Sequence, residues 1–416
     1  MVGASRLVEH TRADRRCSTF SRWSKAAAGV EFGSVAATTM RLAPVREQRS
    51  LLDLSAGPLV LVGAAVAALT LYMAVRGSIY GFDFHGGAWP AGRDILAGHS
   101  PYPAPNPAKL LVPGNSYIPP PPLAFLSVPF SLLPFVPAVV AWGVACTAAL
   151  VLALRIVGVR DWRVYGLALT SFPFVASLGL GQPDGLLALG VAVAWRYRSS
   201  WRGAAAVGMV IAVKLLAWPL LIWLLATRRF KQAGVATAVA IGSVGGSWAL
   251  IGFKGISEYR HLLAADATAF QVRSHSVVAA ALRLGTNERT AKVLAIVVAV
   301  AVAAAVVRLS SDRDVGFFAA ALSFGLLVSP ILWTHYLVVL LVPLAIAHKR
   351  ADAAWLLTIA YWISPLEPPL HVWKIVFVLL LTAALSVLAA RRVRPETFAR
   401  QPAGRVPLQA VTPGSP

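Results

Sequence analysis

Apolar stretches cover most of residues 54–390, and the short turns between them are of two chemical kinds. One kind is rich in arginine: Arg155, Arg160 and Arg163; Arg196, Arg198 and Arg202; Arg228, Arg229 and Lys231; Arg308 and Arg313; Lys349 and Arg350; Arg391, Arg392 and Arg394. The turns that alternate with these carry Asp83, Tyr102, Tyr117, the turn Gly181-Gln182-Pro183-Asp184, Lys214, His275 and the run 329–336, Ser-Pro-Ile-Leu-Trp-Thr-His-Tyr. Basic side chains beside apolar helix ends resist translocation. The arginine-rich turns are therefore expected in the cytoplasm, and the second set outside.

Walking the chain with that rule predicts an all-α polytopic membrane protein of about twelve spanning or partly spanning helices. Span 1 covers 54–75 and exits to an outer loop, 76–136; span 2, about 137–157, returns to Arg160. Between Arg163 and Arg196 both flanks are basic, so the segment goes out and back, with the Gln182-Pro183-Asp184 turn at its tip. The stretch between Arg202 and Arg228 is about one span long yet carries Lys214 near its middle. A single helix there would bury a lysine at mid-bilayer, at a cost of at least ~2.5 kcal/mol. Two half-length helices with Lys214 at the turn avoid that, provided protein shelters the irregular backbone. Span 7, about 232–252, leads to a second outer loop, 253–290, and span 8, about 291–308, returns. Two further hairpins follow, with tips at 329–336 and 364–369. The proline-rich run 117–122 and the apolar residues after it read as a re-entrant or interfacial piece closing the first outer loop.

Composition agrees: 57% of residues are hydrophobic, 13% are charged and mean hydropathy is +0.69, values that a soluble fold does not reach. The net charge of +21 invites a nucleic-acid reading, but the charges sit at helix ends, where orientation and anionic lipid headgroups account for them. No nucleic-acid partner is expected. Only Cys17 and Cys146 are present, which supports neither a disulfide framework nor a thiolate metal site. Residues 1–50 are basic without an apolar core and read as a disordered cytoplasmic tail; Met40 offers an alternative start. The charged stretch is too long, and the apolar run after it long enough to span, for a cleaved signal peptide. Residues 51–390 form the transmembrane domain, and 391–416 read as a second disordered cytoplasmic tail.

Several short motifs recur in order on the outer face: Asp83-Phe84, Leu96-x-Gly98-x-x-Pro101-Tyr102, Tyr117-Ile118-Pro119-Pro120, Gly181-Gln182, Lys214 in an apolar hairpin, and Ser329-Pro330-x-x-Trp333-x-His335-Tyr336. Over about residues 54–345 this set resembles the multi-pass glycosyltransferases of family 87. The resemblance implies a C-type glycosyltransferase fold and transfer of mannose, or in some branches arabinofuranose, from a polyprenyl-phosphate carrier to a glycolipid or polysaccharide hydroxyl on the outer face of the plasma membrane. One departure stands out. After Asp83-Phe84 the chain reads His85-Gly86-Gly87-Ala88-Trp89-Pro90, where the family tends to place a tyrosine-rich helical segment; the glycines and Pro90 predict a looser loop.

The resemblance assigns Asp83 as general base, because a sugar hydroxyl attacking an anomeric carbon needs one in the transition state. Taken alone, Asp83 reads as a helix-capping aspartate. A departing phosphate calls for cations or hydrogen-bond donors, for which Lys214 and His335 are the candidates, with Arg273 and His275 in the second outer loop as helpers. Lys214 could equally snorkel to the interface, and His335 could be a core histidine. Tyr102, Tyr117, Trp333 and Tyr336 are candidates for sugar contact, against an aromatic-belt reading. Gln182 and Asp184 would bond sugar hydroxyls or simply form a turn. No Asp-x-Asp or His-Glu-x-x-His motif is present, so neither metal nor cofactor is expected. A lipid-linked sugar translocase is the rival from another class; it would place its ionisable groups at mid-bilayer in two repeated halves, whereas here they gather at one rim. A glycan ligase or polymerase stays open within the enzyme class.

Overall fold

A computed structural model describes residues 80–102, 117–364 and 371–391, with scattered helical positions between 57 and 76. Both predicted tails, most of span 1 and the tip at 365–370 lie outside the described residues. Among the described residues every regular element is helical. Four helices are long and apolar enough to cross a bilayer: Phe135–Ile156, Phe230–Leu250, Glu288–Leu309 and Val372–Ala390. A fifth crossing is available if Trp162–Thr170 and Phe172–Leu180, bent by 55°, act as one. The bend falls at Ser171, just before Pro173, whose ring removes an amide donor and is tolerated in the first turn of the second helix.

The remaining apolar helices are shorter than a span, because polar or proline residues interrupt them. Trp201–Val213 ends at Lys214, whose extended backbone (φ −145°, ψ 104°) precedes the 3₁₀ turn Leu215–Ala217 and the helix Leu220–Ala226. Arg313–Val328 stops before Pro330, and the chain resumes as the 3₁₀ helix Thr334–Leu340 and the helix Leu341–Ala347. Close packing shelters this irregular backbone: at Gly325 a Cβ would lie 2.1 Å from the Leu216 carbonyl oxygen.

The basic turns meet at one end of the bundle. Asp314 Oδ1 and Oδ2 accept a two-pronged fork from Arg229 at 2.7 Å each, Oδ2 also accepts from Arg198 Nε at 2.8 Å, and Trp223 Nε1 donates to Oδ1 at 2.8 Å. Both flanks of the Lys214 segment thus return to one carboxylate, which makes that segment a hairpin. Asp161 joins two more turns, accepting from Arg163 at 3.0 Å and from the Ala351 amide at 3.0 Å. Ser310 Oγ donates to the Ala390 carbonyl at 3.1 Å.

At the other end the described residues after Gly81 are helical as far as Leu96, which corrects the loop expected at 85–90. Phe84–Ala88 forms a π turn that runs directly into the helix Trp89–Leu96. Pro90 follows the π turn at once; the Trp89 amide there bonds five residues back, to the Phe84 carbonyl, so the hydrogen-bond ladder is already offset where the proline lacks its donor. Gly92 then permits the helix Pro121–Ser131 to press against it, since a Cβ there would lie 2.2 Å from Ser131 Oγ. Ser127 and Ser131 donate to the Ala88 and Trp89 carbonyls at 2.6 and 2.8 Å.

Two predictions test this packing. Asp314→Ala leaves Arg198 and Arg229 side by side without their carboxylate and should destabilise the protein by about 1–2 kcal/mol, between the exposed and buried limits for such pairs, read as a lowered thermal midpoint in detergent. Gly185→Val should cost about 1–3 kcal/mol or more, because even a Cβ there lies 2.2 Å from the Cys146 carbonyl oxygen; a thermal midpoint equal to wild type would refute the close approach.

Candidate functional site

Three breaks in the helices meet at the end opposite the arginines. The first is the Gly181–Pro183 turn. Gly181 adopts a left-handed conformation (φ 76°) that closes the helix Phe172–Leu180, and a Cβ there would lie 2.6 Å from Phe84 Cβ; glycine therefore serves both the turn and the close approach. Trp142 pins the turn by donating Nε1–H to the Gly181 carbonyl at 2.9 Å, while its ring stacks on Phe84 at 5.1 Å. The Gly81 amide donates to the Gly179 carbonyl at 2.7 Å. These contacts bring Asp83 and Gln182 together, and Gln182 Nε2 donates to Asp83 Oδ2 at 2.8 Å.

The second and third breaks converge on Asp184, which is completely buried. Its Oδ1 accepts from Lys214 Nζ at 2.8 Å, and its Oδ2 accepts from His335 Nδ1 at 2.6 Å and from Ser177 Oγ at 3.2 Å. Because an ionised carboxylate only accepts, Nδ1 of His335 carries the proton. Lys214 Nζ also sits 3.7 Å from the centroid of the Tyr336 ring, and the His335 and Tyr336 rings meet edge to face at 4.6 Å. A buried charge of this kind persists only when paired and hydrogen-bonded, and Asp184 is both. Asp83 lies within the electrostatic reach of this group. Burial raises its carboxyl above the ordinary range, offset in part by the Gln182 hydrogen bond and the charges of His335 and Lys214. A carboxylate so raised is a stronger base than a solvated one.

Asp83, Gln182, Asp184, Lys214, His335 and Tyr336 are thus gathered into one cluster. Tyr102 and Tyr117 belong to another group: their hydroxyls donate to the Pro119 and Pro120 carbonyls at 2.8 and 2.7 Å, and Tyr102 packs on Trp248 and Tyr259. Among the described residues no hydrogen bond or ring contact ties either tyrosine to the Asp83 cluster. Trp333 packs against Phe270 at 6.0 Å. Arg273 is exposed, whereas His275 is wholly buried, neither ring nitrogen has a partner, and burial followed by the nearby Lys374 charge pushes its pKa down to about 4. His275 is therefore a neutral group at pH 7. Its amide donates to the Leu332 carbonyl at 2.8 Å, next to the Trp333–Tyr336 segment.

Sequence reading did not single out Ser177 or Trp142, and neither has a local signal; both act through contacts distant in the chain or across a turn. Among the described residues no group of three or more His, Cys, Asp or Glu side chains is disposed to hold a metal ion. A separate apolar cleft of ≈ 400 Å³, lined by residues such as Ile222, Ala303 and Phe324, includes none of the cluster.

Comparison with known proteins gives the chain's family. The chain is 26% identical, over 235 residues, to a polyprenol-phosphate-mannose-dependent alpha-(1-2)-phosphatidylinositol pentamannoside mannosyltransferase of Mycolicibacterium smegmatis. The match covers 52% of this chain and 57% of that relative. No solved structure matches. The family model for glycosyltransferase family 87 matches residues 117–330, a little more than half of the chain, and takes in the Gln182 turn, Asp184, Lys214 and Pro330. The chain belongs to glycosyltransferase family 87.

Proposed function

We propose that the protein transfers a single sugar, mannose-like or arabinofuranose-like, from a polyprenyl-phosphate donor to a hydroxyl of a glycolipid or polysaccharide, with inversion and with Asp83 as the base. The observation that carries the reading is the Asp83–Gln182 pair beside the Asp184–Lys214–His335 group, at the end of the bundle opposite the arginine-rich turns. The mycobacterial relative, named as a polyprenol-phosphate-mannose-dependent mannosyltransferase, favours mannose.

In this reading the acceptor oxygen forms a bond to the anomeric carbon from the face opposite the phosphate. Its proton passes to Asp83, and the bond from the anomeric carbon to the phosphate oxygen breaks, leaving its electron pair on polyprenyl phosphate. One base suffices, since no covalent sugar–enzyme intermediate is needed. Lys214 has three N–H donors and spends one on Asp184, so it can steady the leaving phosphate with another. Asp184 acts as the anchor that aims Lys214 and His335. Arg273 lies at the exposed rim and contributes charge, whereas His275, neutral and wholly buried, supports the neighbouring 332–336 segment through its amide. Gln182, Trp333 and Tyr336 contact sugar; Tyr102 and Tyr117 brace the outer loop through their buried hydroxyls. The site faces outward across the plasma membrane, both termini are cytoplasmic, and about twelve full or partial crossings complete the bundle.

Four measurements test the reading. Asp83→Asn keeps the shape and removes the base, so transfer from polyprenyl-phosphate sugar in lipid vesicles should fall about 10²-fold or more, while donor binding persists. Near-normal transfer would remove Asp83 from the mechanism. Because burial raises the Asp83 pKa and only the ionised form takes a proton, the wild-type rate should decline as pH falls through that raised value. Lys214→Met should lower both donor affinity and turnover, against unchanged donor affinity if Lys214 merely packs. For orientation, in a variant lacking Cys17 and Cys146, Leu284→Cys should react with a membrane-impermeant thiol reagent on intact cells and Arg313→Cys only after permeabilisation. The reverse pattern would invert the proposed topology.

A further inference from the structure

The helix Ile256–Phe270 in the second outer loop is amphipathic, and its inward face is defined by contacts. Tyr259 meets the rings of Tyr102 and Trp248 at 4.8 and 5.6 Å, Leu262 is completely buried, and Phe270 meets Trp333 at 6.0 Å. The opposite face presents the exposed Ser257, Arg260, His261, Ala264 and Thr268. Residues 259, 262, 266 and 270 follow helical spacing, so Asp266 shares the inward face, one turn before Phe270.

Asp266 is half-buried and, among the described residues, no hydrogen bond or ion pair engages its carboxylate. Phe270, one turn further along this face, packs on Trp333, which leads into His335 and Tyr336, and the Tyr336 ring covers Lys214; beyond the effect of burial, the Asp266 carboxylate joins those of Asp184 and Asp83 in raising the Tyr336 hydroxyl pKa. Asp266 therefore lies on the helix face that is turned, through Phe270 and Trp333, toward the segment carrying His335 and Tyr336. A carboxylate withdrawn from water without a partner is destabilising, and an apolar residue would serve packing better at this position. Burial lifts its pKa to about 6, so it is mostly ionised at pH 7.

We propose that Asp266 is a sugar-binding residue of this site, its carboxylate accepting hydrogen bonds from hydroxyls of one of the two sugars brought to Asp83. The assignment rests on the glycosyl-transfer reading above and adds a substrate contact that it does not include. An ionised carboxylate with no cation beside it repels phosphate and accepts from hydroxyls, so the ligand is the polyol and not the phosphate. Among the described residues no further acid or histidine completes a metal site around it.

The test is steady-state transfer in vesicles, with polyprenyl-phosphate mannose varied at fixed acceptor glycolipid and then the reverse, for wild type, Asp266→Asn and Asp266→Ala. The expected result is a KM raised about tenfold or more for one of the two substrates, the scale of a lost charge-assisted hydrogen bond, with kcat within about threefold. Whichever KM rises names the sugar that Asp266 holds. The wild-type KM for that substrate should also climb as pH falls below about 6, because the protonated acid is a poorer acceptor, and Asp266→Asn should abolish that climb. Both KM values within twofold of wild type in Asp266→Asn and Asp266→Ala would overturn the proposal, as would a loss of kcat alone. If Asp266→Ala does not fold, the near-isosteric Asp266→Asn and its pH profile decide. Asp83→Asn run in parallel separates the two failures: normal transfer there sinks the glycosyl-transfer reading, whereas an inactive Asp83→Asn beside unchanged Asp266 variants sinks only this inference.

Discussion

One fully buried carboxylate holds the polar end of this protein together. Asp184 starts the helix Asp184–Arg196, and its two oxygens reach Lys214 at the break after Trp201–Val213 and His335 in the 3₁₀ helix Thr334–Leu340. Three segments far apart in sequence are thereby fixed to one another by charge. Removing one partner of a buried pair costs about 3–5 kcal/mol because the other charge is left uncompensated. That cost explains why helices stop short here: each break in the backbone delivers a polar side chain to Asp184, and the ion pair compensates for the interrupted hydrogen-bond ladder. The same bonds fix the rotamers of Lys214 and His335 before any substrate arrives, which is the condition for electrostatic preorganisation.

The opposite end repeats the device in a wetter setting. Asp314 gathers Arg198 and Arg229, and Asp161 gathers Arg163 and the Ala351 amide. There the carboxylates are partly exposed, with Asp314 at 21%, so solvent screens them and they act as clasps on short hairpins. The helices between the clasps and the Asp184 group have small residues at their contacts, such as Gly185 and Gly325, where backbone meets backbone. Tight packing of this sort transmits position rather than motion. The geometry of Asp83 and Gln182 is accordingly referred, through Trp142 and Gly181, to the long helix Phe135–Ile156.

Much of this was legible in the sequence, and the legible parts share a cause. Arginine asymmetry reports helix ends directly, so the hairpin at Lys214 and the turn at Gln182 follow from parity alone. The energetic argument against a mid-bilayer lysine predicts the break at Lys214, and the chain does break there. The loop expected at 85–90 failed for a local reason: glycine and proline destabilise a helix interior, but Pro90 directly follows the π turn and Gly92 is needed for contact with Ser131. The number of full-length crossings was not legible either, because hydropathy counts apolar residues and cannot tell a spanning helix from two half-length ones joined by a 3₁₀ turn. Pairing was the largest blind spot. Asp184 reads as a turn residue, and its partnership with Lys214 and His335 joins positions 30 and 151 residues away.

The distribution of carboxylates divides the labour within the site. Asp184 accepts from Lys214, His335 and Ser177, so most of its acceptor capacity and its charge are already spent on the protein. Asp83 has one amide donor and a raised pKa, which suits a group that must take a proton and release it. Asp266 has no partner and stands on a helix that belongs to the outer loop instead of the bundle. Graded engagement of this kind follows from depth. A charge deep in the bundle must be paired before substrate binds, one at the rim can share water and a single amide, and one on a covering helix can wait for its ligand to supply the hydrogen bonds. In the function proposed above, the same gradient would run from structural support through proton transfer to recognition, set by how much of the solvation each carboxylate loses when the protein folds.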